Sequence, residues 1–175
     1  MTSKLFNNLL LFSLFGVALG FFGILYEGVV NMPKMLDGSM PRMLFWKNFY
    51  DVISPIPYYI PLVPTATITL IFLYFKSPKQ KIEIKNRLKL AGILQATSLL
   101  LTFYIVKVMN LKLFFGDIDK YGALIPTRTL MVNIISVIRV ALTALALITV
   151  FKAYIQTQKE EVNLTARNTD VSAVS

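Results

Sequence analysis

Four apolar runs, at about 9–30, 55–75, 90–109 and 130–151, alternate along the chain with short polar stretches. An α-helix rises about 1.5 Å per residue, so about 20 apolar residues cross the roughly 30 Å hydrocarbon core of a bilayer. The pattern predicts an all-α membrane protein: four transmembrane helices in an up-down bundle occupying 1–155, followed by a polar tail, 156–175, that is expected to be disordered. The first run also admits a cleaved signal peptide, because Lys4 precedes it and Ala18, Leu19 and Gly20 loosely resemble a cleavage site. Its continuation to Val30 favours a spanning helix.

The stretches between the runs differ in character. The segment 38–54, GSMPRMLFWKNFYDVIS, carries Ser39 as a candidate cap, Pro41 suited to a first turn, and aromatic residues mixed with Arg42, Lys47 and Asp51. This is the composition of an interfacial helix feeding the second span. The segment 110–129 is broken by Gly116, Gly122 and Pro126. Between the second and third runs lies KSPKQKIEIKNRLK, with six cations opposed by Glu83 alone. The excess of cations in this loop places it, and with four crossings both termini, on the cytoplasmic side.

Composition narrows the chemistry. The chain has 175 residues, is 55% hydrophobic and 15% charged, and has a mean hydropathy of +0.63, which points to the bilayer as solvent. The absence of cysteine and histidine removes disulfides, thiolate nucleophiles, imidazole bases and nitrogen- or sulfur-based metal sites. Asp117 and Asp119 supply too few ligands for calcium and read as a turn, so no metal is expected. The net charge of +9 sits beside apolar runs, where it orients the chain and contacts anionic lipid; nucleic acid is not expected as a partner.

Polar residues inside the spans carry the remaining information. Gly16, Gly20 and Gly23 form a helical stripe that predicts a close helix contact, and continuing the stripe reaches Glu27. Arg139 lies deep in the fourth run with Ser136, Thr143 and Ala146 on its face. At such a depth arginine costs about 2.5 to 3.5 kcal/mol on insertion scales, so it should face protein and find a partner, with Glu27 the best placed. A structural ion pair would satisfy the same constraint. Pro61 and Pro64 fall inside the second run, and each removes a backbone donor; Pro55 and Pro57 fit a loop or first turn as well. Gln95, Ser98 and Thr102 share a stripe on the third run, suited to hydrogen bonds between helices. Glu27, Asp51, Tyr58, Tyr104, Lys107 and Arg139 all fall in the outer half of the predicted bundle and define a candidate ligand pocket open to the outside.

The segments GFFGILYEGVVNMPKML, FWKNFYDVISP, MNLKLF and NIISVIRVALTALAL, in this order, resemble the anthrone-oxygenase-like family of small four-helix membrane proteins. The resemblance implies the four-helix architecture, and with it a membrane oxygenase or oxidoreductase acting on a lipid-soluble aromatic substrate. In a chain without histidine, Glu27 or Tyr104 would handle the protons and Arg139 would stabilise an enolate or phenolate. The residues themselves favour binding of a hydrophobic small molecule, amphipathic ligand or partner helix at the outer pocket. A transporter or channel is the third expectation; a chain this short would then act as a homo-oligomer. No cofactor is indicated by any motif.

Overall fold

The computed structural model describes residues 1–31, 39–52, 56–77, 81–114, 120 and 122–172; side chains are not described at 30–31, 46, 50–51, 56–60, 109–110, 113–114 and 164–172. Nearly all of the described residues are helical and none lies in a strand. Five α-helices follow one another: α1 (Ser3–Tyr26), α2 (Met40–Val52), α3 (Ile56–Lys76), α4 (Ile82–Ile105) and α5 (Ile125–Ser172). π-helical segments continue α1 over Glu27–Asn31 and α4 over Val106–Phe114, and a 3₁₀ turn, Gly122–Leu124, leads into α5. By length and composition, three helical stretches can cross a membrane: Ser3–Val29, Ile82–Val108 and Gly122–Asn163. A shorter apolar stretch, Pro61–Lys76, belongs to α3.

Local chemistry explains the helix starts. Thr2 caps α1, its hydroxyl accepting from the Leu5 amide at 3.4 Å. The Ser39 carbonyl accepts from the Met43 amide at the start of α2, with Pro41 in the first turn. α3 runs unbroken through Pro61 and Pro64, and Thr65, Thr67 and Thr69 each fold their hydroxyl back onto a carbonyl one turn earlier. Such back-bonding keeps hydroxyls satisfied where water is absent. α4 begins at Ile82, before the apolar run at 90–109, because Glu83 and Arg87 pair one turn apart at 2.5 Å.

The long helices pack side by side, α1 against α3 and α5, and α4 against α3 and α5. Gly16 and Gly20 let α1 and α3 approach closely. A Cβ at Gly16 would stand 2.5 Å from the Ala66 Cβ, and one at Gly20 would stand 3.1 Å from Val63 Cγ2. The apolar core lies toward the end that carries the termini and the 77–81 connection. Phe6, Leu10 and Val17 of α1 meet Leu70 and Leu73 of α3, Ile84, Leu88 and Ala91 of α4, and Ala146, Val150 and Ala153 of α5. Outward, Phe15, Phe22, Phe75, Leu100, Val137 and other large apolar side chains are exposed, a surface suited to acyl chains.

One boundary differs from the sequence reading. The tail expected to be disordered from Gln156 continues α5 to Ser172, and Thr157 is buried. Partners from distant parts of the chain hold this extension: Gln156 Nε2 donates to Glu83 Oε2 at 2.9 Å, Glu160 pairs with Lys81 at 2.7 Å, and Ser3 Oγ donates to Glu161. The break expected at Gly116 and the turn expected at Asp117 and Asp119 lie outside the described residues. Gly122 opens the 3₁₀ turn with Met40 of α2 packed closely against it.

Candidate functional site

The inward face of α5 is a stripe of three- and four-residue steps: Ile125, Thr129, Val132 and Asn133, the half-buried Ser136, then Arg139, Thr143, Ala146, Val150, Ala153 and Thr157. Its terminal end is small and apolar, whereas its other end is polar. Arg139 is only 7% exposed although it lies in the middle of a helix made of Leu, Ile, Val and Ala. Thr143 covers the Arg139 carbonyl, with Oγ1 donating at 2.8 Å. On α4 the matching buried stripe contains Gln95 and Ser98, with Thr102 half-buried and its hydroxyl on the Ser98 carbonyl at 2.9 Å.

Contacts at the terminal end set the heights of these groups. Arg139 precedes Glu161 by as many residues as Leu25 follows Ser3, so antiparallel α1 and α5 place Arg139 opposite Leu25. Glu27 lies two residues, about 3 Å, beyond that level. The π-helical segment that begins with Glu27 packs against α5, Glu27 is half-buried, and both Glu27 and Arg139 engage in interactions within the fold. By the same count from the Gln156–Glu83 hydrogen bond, Gln95 stands opposite Ala144, just over one turn from the height of Arg139. Adjacent helices therefore bury a guanidinium, two amides and several hydroxyls in one half of the interior, with the half-buried Glu27 close to the height of Arg139.

Three side-chain atoms in this half, Gln95 Oε1, Asn133 Nδ2 and Thr129 Oγ1, are buried without a hydrogen-bonding partner among the described residues. An unmade hydrogen bond of this kind costs about 1 to 3 kcal/mol, so native proteins seldom keep one unless water or a ligand completes it. The end of the set remote from the termini is covered. α2 packs on the π-helical segment Val106–Phe114, with Met43 2% exposed, and Arg128 of α5 donates from Nη1 to the Val108 carbonyl at 2.7 Å. π-Helical segments are uncommon and recur at functional sites, and here both terminate helices at the polar end.

The predicted pocket residues do not all converge. Arg139 is buried and Glu27 half-buried. Tyr104 is 45% exposed, its hydroxyl 3.6 Å from Met131 Sδ, and Lys107 is exposed; both lie on the outer side of α4, away from the stripe of Gln95 and Ser98. The side chains of Asp51 and Tyr58 lie outside the described residues. Gly16 and Gly20 stand at the contact with α3, and Gly23 is half-buried one turn beyond. Among the described residues no group of three or more acidic side chains is arranged to hold a metal ion.

A second polar feature lies at the terminal end and was not anticipated. A cleft of about 490 Å³ opens between the first turns of α1 and the extension of α5, lined by Lys4, Asn7, Asn8, Leu11, Tyr154 and Glu161 among others. The signal for it was the recurrence of polar residues at three- and four-residue steps, Lys4, Asn7 and Asn8 on one helix and Gln158 and Glu161 on the other. Comparison with family models, curated proteins and solved structures finds no match to the chain, and nothing in those comparisons bears on the anthrone-oxygenase-like resemblance.

Proposed function

We propose that the chain is a four-span membrane protein whose polar interior half receives the head of a hydrophobic or amphipathic small molecule, with Arg139 as its principal contact and Glu27 as the counter-charge. The observation that carries this reading is a guanidinium 7% exposed in an apolar helix, close in height to a half-buried carboxylate and to buried amides whose hydrogen bonds the fold leaves unmade. Charge at this depth is expensive and marks function more often than architecture. Pairing with Glu27 would offset part of the cost of burying the guanidinium, and a ligand with a carboxylate, phenol or carbonyl head would engage the guanidinium and the Asn133 amide. The amphipathic α2, packed across one end, would form part of the entrance. In this arrangement α3 is the fourth crossing and the basic 77–89 stretch lies on the cytoplasmic side with both termini.

Trp46, the single tryptophan, belongs to α2, the helix proposed as part of the entrance, and its fluorescence provides a probe of that helix. Titration of the purified protein with medium-chain fatty acids and with quinones is expected to give a saturable change in its fluorescence for one of these classes. Arg139→Leu and Glu27→Gln should abolish that response. Variants that keep both the response and the stability of the parent would sink the reading. Orientation is tested separately. The chain has no cysteine, so a single cysteine at position 79 should react with an impermeant maleimide only after the cells are opened. Labelling in intact cells would reverse the proposed topology.

A further inference from the structure

The cations around the α3–α4 connection divide into two sets. Lys81 pairs with Glu160, and Arg87 pairs with Glu83, whose second oxygen accepts from Gln156 of α5. Glu83 is the one carboxylate in the sequence between Asp51 and Asp117, and these contacts hold it toward α5. Lys85 and Lys89 follow Glu83 by two and six residues, about 200° and 240° around the helix, so both stand on the opposite side of α4. The Lys85 Nζ lies 5.3 Å from the centre of the Tyr74 ring on α3, and neither lysine has an acidic partner among the described residues.

Apolar surface begins where this pair ends. Lys89 immediately precedes the third apolar run, and beyond it Leu90, Ile93 and Leu100 of α4 are exposed beside Ile68 and Ile71 of α3. Gly92 lets the two helices meet there, with Ile71 Cγ1 3.7 Å from where its Cβ would stand. The lysines therefore sit at the level of lipid headgroups and the strip beneath them at the level of acyl chains. Two ammoniums one turn apart, with about 5 to 6 Å between their Cβ atoms, can share the oxygens of one phosphate. Neither α3 nor this side of α4 carries a carboxylate that could receive a headgroup ammonium, so the face favours a lipid of net negative charge over a zwitterionic one.

We propose that the α3–α4 face binds an anionic phospholipid at a defined position, with the phosphate between Lys85 and Lys89 and an acyl chain along Ile71 and Ile93. The site differs from a general attraction of the basic end to an anionic membrane because it singles out one pair of lysines. Lys152 and Lys159 of α5 also lack an acidic partner among the described residues, but seven residues separate them by about 10 Å, so each meets a separate headgroup. The site does not depend on the polar interior around Arg139.

Fluorescence quenching of the full chain in phosphatidylcholine bilayers tests the proposal, with a small fraction of phosphatidylglycerol carrying brominated chains as the probe. Ile93→Trp and Ile148→Trp, each in a Trp46→Phe background, place the single fluorophore at a lipid-facing position one turn from Lys89 and one turn from Lys152. Each ammonium beside an anionic headgroup contributes about a fivefold preference, so phosphatidylglycerol should associate about fivefold more strongly at Ile93→Trp, served by two lysines, than at Ile148→Trp, served by one. Lys85→Gln and Lys89→Gln should each remove that difference, and Lys85→Arg should keep it. If Lys85→Gln does not fold, Lys89→Gln, whose side chain is exposed, decides the matter. Equal association at the two positions overturns the proposal, as does a preference at Ile93→Trp that survives both glutamine variants. Brominated phosphatidylethanolamine that quenches Ile93→Trp as strongly as phosphatidylglycerol also overturns it, because the face would then not select charge.

Discussion

The two halves of the helix assembly use different means to hold the same four helices together. Toward the termini, Leu10, Leu70, Leu73, Ile84, Leu88 and Val150 interlock as an apolar core in which each is fully buried. Toward the other end the same interior positions carry Gln95, Ser98, Thr129, Asn133 and Arg139. Lipid tails are as apolar as leucine, so neither half gains much from the hydrophobic effect once in the bilayer. The apolar half must rely on fit, and the polar half on hydrogen bonds and charge pairing. The interior satisfies the first requirement and leaves part of the second unmade, at Gln95, Thr129 and Asn133, which is where the proposed ligand would bind.

The largest effect should come from spoiling the fit. Gly16 lies where α1 meets α3, and Gly16→Leu would drive a side chain into Ala66, whose Cβ already limits any added atom to 2.5 Å. Overpacking of this kind is expected to destabilise the protein by about 3 kcal/mol, read as a lower unfolding midpoint in mixed micelles. Parental stability would show that the helices can separate without loss, and the close approach would then matter little. Next comes Leu88→Ala in the terminal core. The cavity contribution persists in a bilayer while the transfer contribution is small, so a loss of about 2 kcal/mol is expected, near the lower end for such truncations.

The polar half should respond in the opposite direction. Gln95 is 1% exposed and its Oε1 is unsatisfied, so Gln95→Leu removes a buried polar group and restores packing. The expected outcome is unchanged stability or a gain of about 1 kcal/mol, accompanied by a weaker ligand response of Trp46. A loss as large as that of Leu88→Ala would mean that Gln95 is a structural hydrogen-bonding residue, and the contrast between the halves would fail.

Much of this arrangement could be read from the chain because helical periodicity is a local property. The steps from Ser136 to Arg139, Thr143 and Ala146 gave the polar stripe of α5, and Gln95 and Ser98 gave its counterpart on α4. The same periodicity, applied more strictly, would have turned Tyr104 outward. It follows Thr102 by two residues, about 200° around the helix, and Lys107 lies on the same outer side. Depth alone had grouped them with Arg139. What the sequence concealed depends on partners far away along the chain. The extension of α5 is polar and lacks an apolar run, yet Glu83, Lys81 and Ser3 hold Gln156, Glu160 and Glu161 in place. The terminal cleft exists only because of that extension, so it was equally hidden.

The smallest predicted effect tests how much the extension depends on charge. Lys81 and Glu160 pair at 2.7 Å with side chains 29% and 34% exposed, near enough to water for solvent and salt to screen them. A double-mutant cycle with Lys81→Gln and Glu160→Gln should give a coupling below about 1 kcal/mol that shrinks further as salt is raised. Thr157 is buried one turn earlier and bonds the Ala153 carbonyl at 2.9 Å, so packing should keep the helix in place when the ion pair is gone. Proteolysis distinguishes the alternatives directly: cleavage near Gln158 should stay slow in both single variants. Rapid cleavage would show that this end, unlike the apolar core beneath it, is held by charge, and the cleft between α1 and α5 would then depend on ionic strength.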